Sequence, residues 1–284
     1  GRTMASQMMS GNKQQKKWIG YHDKDVHHLA FPYPWLLKNG NEEEFLNKSI
    51  EKLKKKINLK NDICGIMLET FQGWGAIFYP KKYIQNLYKI CKKNDILIAF
   101  DEMQAGFART GKNFGFQHYD ITPDLICCGK GMGGGVALSG VIGKKKIMDL
   151  PDIGNMSSTN SANPIACNAG LAVIEEILEK KLTYKARING KLLHNNLLQI
   201  SKELPDLINV YGKGLIAALV FDKKHKNINK KLKKLVELCI QDGLLLVYTG
   251  RESVKIGPPL TISSDAINEG CQIIKKNINL IFNR

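Results

Sequence analysis

The sequence predicts an α/β protein, with a mostly parallel sheet in a large first domain and a smaller α/β domain at the C-terminus. Three observations lead there. Short apolar runs at 62–69 and 95–101 flank a stretch at 81–93 in which Ile84, Leu87, Tyr88 and Cys91 recur at helical spacing. That is the pattern of a strand, a right-handed crossover helix and a second, parallel strand. Two more apolar runs, 124–128 and 136–142, extend the sheet, and none of the four alternates apolar with polar residues, as expected of strands covered on both faces. Finally, 284 residues exceed one typical domain, so a large domain with a smaller companion is the natural division.

Taken in order, the turn-rich Phe31-Pro32-Tyr33-Pro34-Trp35 precedes an amphipathic helix over 42–57. After the 124–128 and 136–142 strands, Asn163-Pro164 starts a long helix carrying Ala166, Ala169, Leu171, Val173, Ile174 and Ile177. A second helix runs from about Tyr184 to Leu204, where Pro205 stops it. The remainder reads as strands near 215–221, 244–248 and 254–256 with helices at 230–241 and 265–281. In the last helix Ile267, Cys271, Ile274, Ile278 and Ile281 share one face, which predicts docking on that sheet. The expected domains are therefore 1–182 and 183–284. Gly1-Arg2-Thr3 offers no cap and no leading strand, so the chain reads as beginning inside a domain.

Composition excludes several classes. The 43% hydrophobic and 24% charged fractions are those of an ordinary globular protein. No apolar run approaches the ~20 residues that span a bilayer, and the N-terminus is neither a secretory nor a transit signal, so a cytoplasmic protein is expected. Seven cysteines, an odd number set mostly in apolar stretches such as Leu125-Ile126-Cys127-Cys128, read as reduced core residues. Metal binding is not expected: Cys127-Cys128 lacks the intervening residues of a zinc motif, and His22, His27 and His28 sit in a polar loop without ligand spacing. The net charge of +16 raises the question of nucleic acid. Only five of the 42 basic residues are arginines, and the lysines spread along helical stretches (48–60, 81–93, 230–234) without interleaved aromatics, which reads as solvated helix faces. A nucleic-acid binder is the rival to test by salt dependence.

In open α/β sheets, ligands bind beyond the carboxyl ends of the strands. Asp101 ends one strand there, Glu69 ends its neighbour without a firm role, and Gly129-Lys130-Gly131 follows the next, leading into the permissive Gly131-Met132-Gly133-Gly134-Gly135. A lysine amine and a carboxylate at one rim are the pair that amino-group transfer on a pyridine cofactor needs. The amine bonds the cofactor aldehyde and shuttles a proton; the carboxylate keeps the pyridine nitrogen protonated, so the ring can draw electrons from the reacting carbon.

Two motifs carry a family resemblance. Phe100-Asp101-Glu102-Met103-Gln104-Ala105-Gly106-Phe107-Ala108-Arg109-Thr110-Gly111 and Pro123-Asp124-Leu125-Ile126-Cys127-Cys128-Gly129-Lys130-Gly131 resemble, at the right separation, the aspartate and lysine signatures of class III pyridoxal-phosphate-dependent aminotransferases of the ornithine, acetylornithine and 4-aminobutyrate type. The likeness extends to Ser157-Ser158-Thr159-Asn160-Ser161-Ala162-Asn163-Pro164 and Lys255-Ile256-Gly257-Pro258-Pro259-Leu260, and to Gly1-Arg2-Thr3. It implies fold type I, pyridoxal 5'-phosphate as cofactor, a homodimer with shared active sites, and an amino donor, expected to be glutamate, serving an oxo acid or aldehyde acceptor. Lys130 is then the Schiff-base lysine, Asp101 the partner of the pyridine nitrogen, and Gln104 a contact to the ring hydroxyl. Thr159 holds phosphate across the dimer, while Arg2, Lys255 and Ser158 serve the substrate.

Each assignment has a plainer reading beside it. Thr159 fits an N-cap for the helix after Pro164, Gln104 a backbone cap, and Lys255 a lysine on an edge strand. Two departures bear on the substrate: Lys255 stands where the family carries an arginine, and Trp74 where many members place a gating glutamate. The family's main phosphate loop and stacking aromatic lie upstream of the matched region, so the chain is expected to be N-terminally incomplete. Another reaction on the same scaffold, by an aminomutase, racemase or decarboxylase, is the alternative.

Overall fold

Residues 3–21, 23–37 and 40–282 are described in the computed structural model. The chain divides into two units, Gly1–Ile63 and Cys64–Arg284. The first carries helices α1 (Met4–Met9), α2 (Glu42–Lys54) and α3 (Leu59–Asp62). The Asn41 side chain caps α2 by accepting from the Glu44 amide at 3.0 Å. Glu42, Glu43 and Glu44 then sit at the positive end of the helix dipole, with Lys52 and Lys54 at the negative end. Leu46 and Ile50, one turn apart, form the buried stripe.

The second unit opens with β1 (Gly65–Glu69), a small hairpin of β2 (Phe71–Gln72) and β3 (Ile77–Phe78), the crossover helix α4 (Lys81–Lys93) and β4 (Leu97–Asp101). β5 (Leu125–Cys128) and β6 (Gly140–Gly143) complete a sheet of order β1-β4-β5-β6. The expected crossover is present: β1 and β5 both run parallel to β4, and α4 buries Tyr83, Ile84, Leu87 and Cys91. β6 runs antiparallel to β5. The stretch from Cys128 to Gly140 holds a single tight turn of 3-10 helix and no crossover helix, so the chain can only fold back.

Cover on both faces, expected from the apolar runs, holds only in part. Gly65, Met67 and Glu69 alternate outward on β1, and Val141 and Ile142 of β6 are half exposed. Among the described residues both lie at the edges of this sheet. Asp124, ahead of β5, anchors the sheet: it accepts from the Ile98 amide at 3.0 Å and from the amines of Lys92 at 2.8 Å and Lys144 at 2.6 Å. Its burial opposes ionisation, but these hydrogen bonds and the lysine charges hold its pKa at about 2.

Beyond the sheet come α5 (Lys145–Met148), α6 (Pro164–Glu179) and α7 (Leu182–Glu203). Then follow β7 (Ile208–Lys213), β8 (Ile216–Phe221), α8 (Ile228–Gln241), β9 (Val247–Tyr248), β10 (Ser253–Ile256) and α9 (Ser264–Phe282). The second sheet, of order β7-β8-β10-β9, is antiparallel throughout. Its first strand and the β2–β3 hairpin go beyond what the sequence predicts. β7 is polar at Asn209 and Lys213, and the hairpin strands are two residues each, so neither leaves a periodic signal. β8 is buried along its whole length. As expected, Ile267, Cys271, Ile274 and Ile278 of α9 pack into one core with Leu219 and Phe221 of β8, Val254 of β10, Leu197 of α7 and Leu235 of α8. Of the cysteines, Cys91, Cys128, Cys239 and Cys271 are buried, whereas Cys64 and Cys167 are exposed and are not core residues; all are free thiols.

The loop after β4 lies against the turn between β7 and β8. The Leu215 amide donates to Arg109 O at 3.0 Å. Gly214, at φ +58, lies so close that a Cβ there would stand 2.3 Å from the Thr110 carbonyl carbon. Gly190 of α7 approaches Gly214 in turn, its would-be Cβ 2.5 Å from the Gly214 backbone. Gly214→Ala combines a left-handed φ with a backbone clash, and is expected to destabilise the protein by roughly 2–4 kcal/mol. Urea denaturation reads this as a lower midpoint at unchanged slope; an unchanged midpoint would show that this approach is not tight.

Candidate active site

Parallel register brings the chemistry together. Glu69 pairs with Asp101 and Asp101 with Cys127, so the carboxyl ends of β1, β4 and β5 finish level, and Gly129-Lys130 leaves from the same rim. Side chains alternate along β4. Phe100 and Glu102 are therefore fully buried on one side, and Asp101, half-buried, faces the other. Asp101 Oδ1 accepts the Met103 amide at 3.0 Å, an Asx turn that starts the loop.

Glu102, to which the sequence assigns no role, holds this corner. Its carboxylate accepts from the amides of Gly115 at 2.7 Å and Phe116 at 2.8 Å and from the Thr70 hydroxyl. Burial raises its pKa and these hydrogen bonds work against the rise. One side chain thus ties the Asp101 loop to the end of β1. The only sequence clue was an acid one residue out of phase with the strand-end aspartate.

Lys130 opens a single 3-10 turn, Lys130–Gly133, with φ +47. A non-glycine residue pays for that conformation, which is more often met at functional positions than elsewhere. Lys130 lines a cleft of about 820 Å³ with Gln104, Arg109 and Lys255, walled by apolar residues that include Phe107, Val173 and Leu260.

The Gln72-Gly73-Trp74 loop is tied to β10: Lys255 Nζ donates to Gly73 O at 3.2 Å and Ser253 Oγ to Trp74 O at 2.8 Å. The Arg251 guanidinium stacks on the buried Trp74 ring, 4.0 Å from its centroid. A methyl built on Gly73 would sit 3.5 Å from both Glu69 Oε1 and Gln104 Oε1, so these two groups converge on that glycine.

The charges interact. Crowding by neighbouring atoms and then the Asp101 charge push the Glu69 carboxyl up to about 7, while Lys130 and Lys255 pull it down. Glu69 is exposed as a residue, so the carboxyl is crowded without being sealed from water. For Lys255, burial and the Lys130 charge lower the pKa and Glu69 raises it.

Other expected site residues lie elsewhere. Ser158 and Thr159 occupy an exposed turn, where Ser158 Oγ meets Ser161 Oγ at 2.9 Å, and neither lines the cleft. The N-cap of α6 is Asn163, which accepts from the Ile165 amide, so Thr159 is not that cap. Lys255 is a half-buried central-strand lysine, with β8 and β9 on its two sides, and not a surface lysine on an edge. Arg2 lies outside the described residues, as does His22.

Fold and site together define an α/β protein with an amine and a carboxylate at the carboxyl rim of a largely parallel sheet. The sequence matches the aminotransferase class-III family over residues 1–278. A probable 4-aminobutyrate aminotransferase of Bacillus subtilis is 30% identical over 295 residues, covering 98% of this chain and 66% of that protein. A leucine/methionine racemase of Thermococcus litoralis is 33% identical over 263 residues, covering 89% of this chain and 59% of that protein. A transaminase solved in a study of directed evolution by ancestral reconstruction superposes with a TM-score of 0.91 at 26% identity, covering 100% of this chain and 66% of that one. The chain belongs to the class-III aminotransferase family, whose members depend on pyridoxal phosphate. It spans 59–66% of the length of these relatives.

Glu69 gives the site a pH signature. Its carboxyl takes up a proton near 7 in the folded chain against an ordinary 4.5. The stability this lends is complete below pH 4.5 and is lost as pH rises through 7. Glu69→Gln is therefore expected to match the parent protein in urea midpoint below pH 4.5 and to exceed it at pH 8. An equal shift at both pH values would contradict the crowded carboxyl.

Proposed function

We propose that this chain carries the catalytic core of a pyridoxal-phosphate-dependent aminotransferase, which moves an amino group from an amino acid donor, glutamate, to an oxo acid or aldehyde acceptor. The observation that carries this reading is geometric: the register of β1, β4 and β5 sets Asp101 and the Gly129-Lys130 turn at one rim, and Lys130, Gln104 and Lys255 line one cleft. Lys130 and Lys255 thus line one cleft, while Asp101 stands at the strand end just before its lining residues Met103 and Gln104. This donor set fits the cofactor's aldehyde and ring: an amine for the one, a carboxylate and the Gln104 amide for the other.

When bound, pyridoxal phosphate supplies an aldehyde that takes the amino group and a ring that withdraws electrons from the reacting carbon. The chain's own residues do the rest. Asp101, held by the Met103 amide and the strand end, would keep a proton on the pyridine nitrogen. The Lys130 amine would hold the cofactor at its aldehyde carbon, with water as the leaving group, and would carry the proton at the substrate carbon. Gln104 would face the ring hydroxyl. Lys255 attracts the substrate carboxylate as a point charge, without an arginine's paired donors.

Thr159 on the cofactor phosphate, Ser158 and Arg2 on the substrate, and the shared sites of a cytoplasmic homodimer complete the proposal. Residues 1–182 and 183–284 are its large and small domains. The two sheets lying on either side of Leu182 support that division. No helix among the described residues is long and apolar enough to cross a membrane.

Incubating the protein with pyridoxal phosphate and reducing with borohydride is expected to leave a pyridoxyl group on Lys130, located by peptide mass spectrometry. Lys130→Ala should lose it while keeping the urea midpoint. A label on another lysine would overturn the assignment. The racemase relative supports a second reading, racemisation at the same site. A transaminase turns the amino donor into its oxo acid and aminates the acceptor, whereas a racemase returns the amino acid in both hands, which chiral chromatography separates.

A further inference from the structure

We propose that Arg109 is a positioning residue that sets the width of the Lys130 cleft, by latching the strands that carry its far wall onto the loop that follows Asp101. The proposal rests on reading the cleft as the transaminase site and goes on to say what holds it at its working width.

Arg109 Nη1 donates to Leu215 O at 2.9 Å and to Pro258 O at 2.5 Å. These carbonyls belong to different segments: Leu215 precedes β8 and Pro258 follows β10, two strands that pair antiparallel. One nitrogen can serve both only while the strand ends stay in register. The residues next to the acceptors, Ile216 and Gly257, line the cleft along with Lys255 and Leu260, and the same cleft is lined from the other side by Gln104, Phe107 and Lys130. Arg109 therefore sits between the two walls, covalently part of one and hydrogen-bonded to the other. The Leu215 amide answers by donating to Arg109 O, so the contact is made from both directions.

The energetics argue against simple filler. Arg109 is substantially buried, which lowers its pKa, and among the described residues it has no carboxylate within ion-pair distance. A buried cation without a counter-charge is expensive, and an apolar side chain of that length would fill the space at lower cost. What an apolar chain cannot do is hold two carbonyls at a set separation. A flexible ammonium does so less well than a planar guanidinium, whose donors are fixed relative to one another. Displacement of Pro258 would move the Gly257–Leu260 segment and, three residues before Pro258, Lys255. The loss should therefore fall on substrate binding before it falls on the chemistry at Lys130.

The test uses the full-length protein, as Arg109→Lys and Arg109→Met. For Arg109→Met the KM of the amino donor should rise about tenfold, the scale of one lost charge-assisted hydrogen bond, with a smaller change in kcat. Arg109→Lys should recover part of that loss. Amide hydrogen exchange should quicken at 214–217 and at Ile256, Gly257 and Leu260 in both variants, while borohydride still fixes pyridoxyl on Lys130. An unchanged KM in Arg109→Met, a lysine variant no better than the methionine one, or exchange that stays as slow as in the parent would overturn the latch. Failure of the parent protein to take the label at Lys130 would instead remove the transaminase reading, and exchange at Ile256, Gly257 and Leu260 would still report on the latch by itself.

Discussion

The parallel pairing of β4 with β1 on one side and β5 on the other is the constraint on which the site depends. Asp101 and Glu102 are adjacent acids with opposite surroundings: one half-buried at the rim, the other fully buried and held by three donors. A shift of one residue in β4 would exchange them, placing Asp101 in the core pocket and Glu102 at the rim, because side chains alternate at every position. Phe100, fully buried and in contact with the rings of Phe116 and Tyr119, resists that slip with an apolar side chain that cannot be turned outward cheaply. The chemistry is thus registered by packing beneath it.

A second set of contacts joins this sheet to the antiparallel one. The β2–β3 hairpin reaches across, with Gly73 and Trp74 carbonyls taken by Lys255 and Ser253 of β10. The loop after β4 does the same through Arg109 and through the glycine approach at Gly214. Nearly all of these are hydrogen bonds to backbone carbonyls, which specify distance more narrowly than apolar contact does. Lys255 has two roles in this arrangement: it holds the Gly73 loop and lends charge to the cleft. An arginine could do both with donors to spare; a lysine divides its donors between the loop and any bound carboxylate.

Much of the fold was legible in the sequence where burial imposes a period. Ile84, Leu87 and Cys91 announced α4, Ile267, Cys271, Ile274 and Ile278 announced α9, and unbroken apolar runs announced β1, β4, β5 and β8. The pieces that were not legible are those whose stabilising partners are distant. The two-residue strands at Phe71 and Ile77 exist because the other sheet receives them. β6 turned antiparallel because its connection holds no crossover helix. Trp74 read as a substitution in a loop, with nothing to say that Arg251 would stack on it.

The sequence alone determined which amine and which acid stand at strand ends, and a charge pattern that spreads lysine over helix faces. Those are local properties, since strand, turn and helix are written in neighbouring residues. Tertiary structure alone decided the rest: that Glu69 would be crowded until its proton persists to about pH 7, that Lys255 would be half-buried against Gly73, and that Arg109 would bridge two carbonyls 106 and 149 residues away. Desolvation and charge coupling depend on which atoms fill the space around a group, and no stretch of sequence contains its own surroundings.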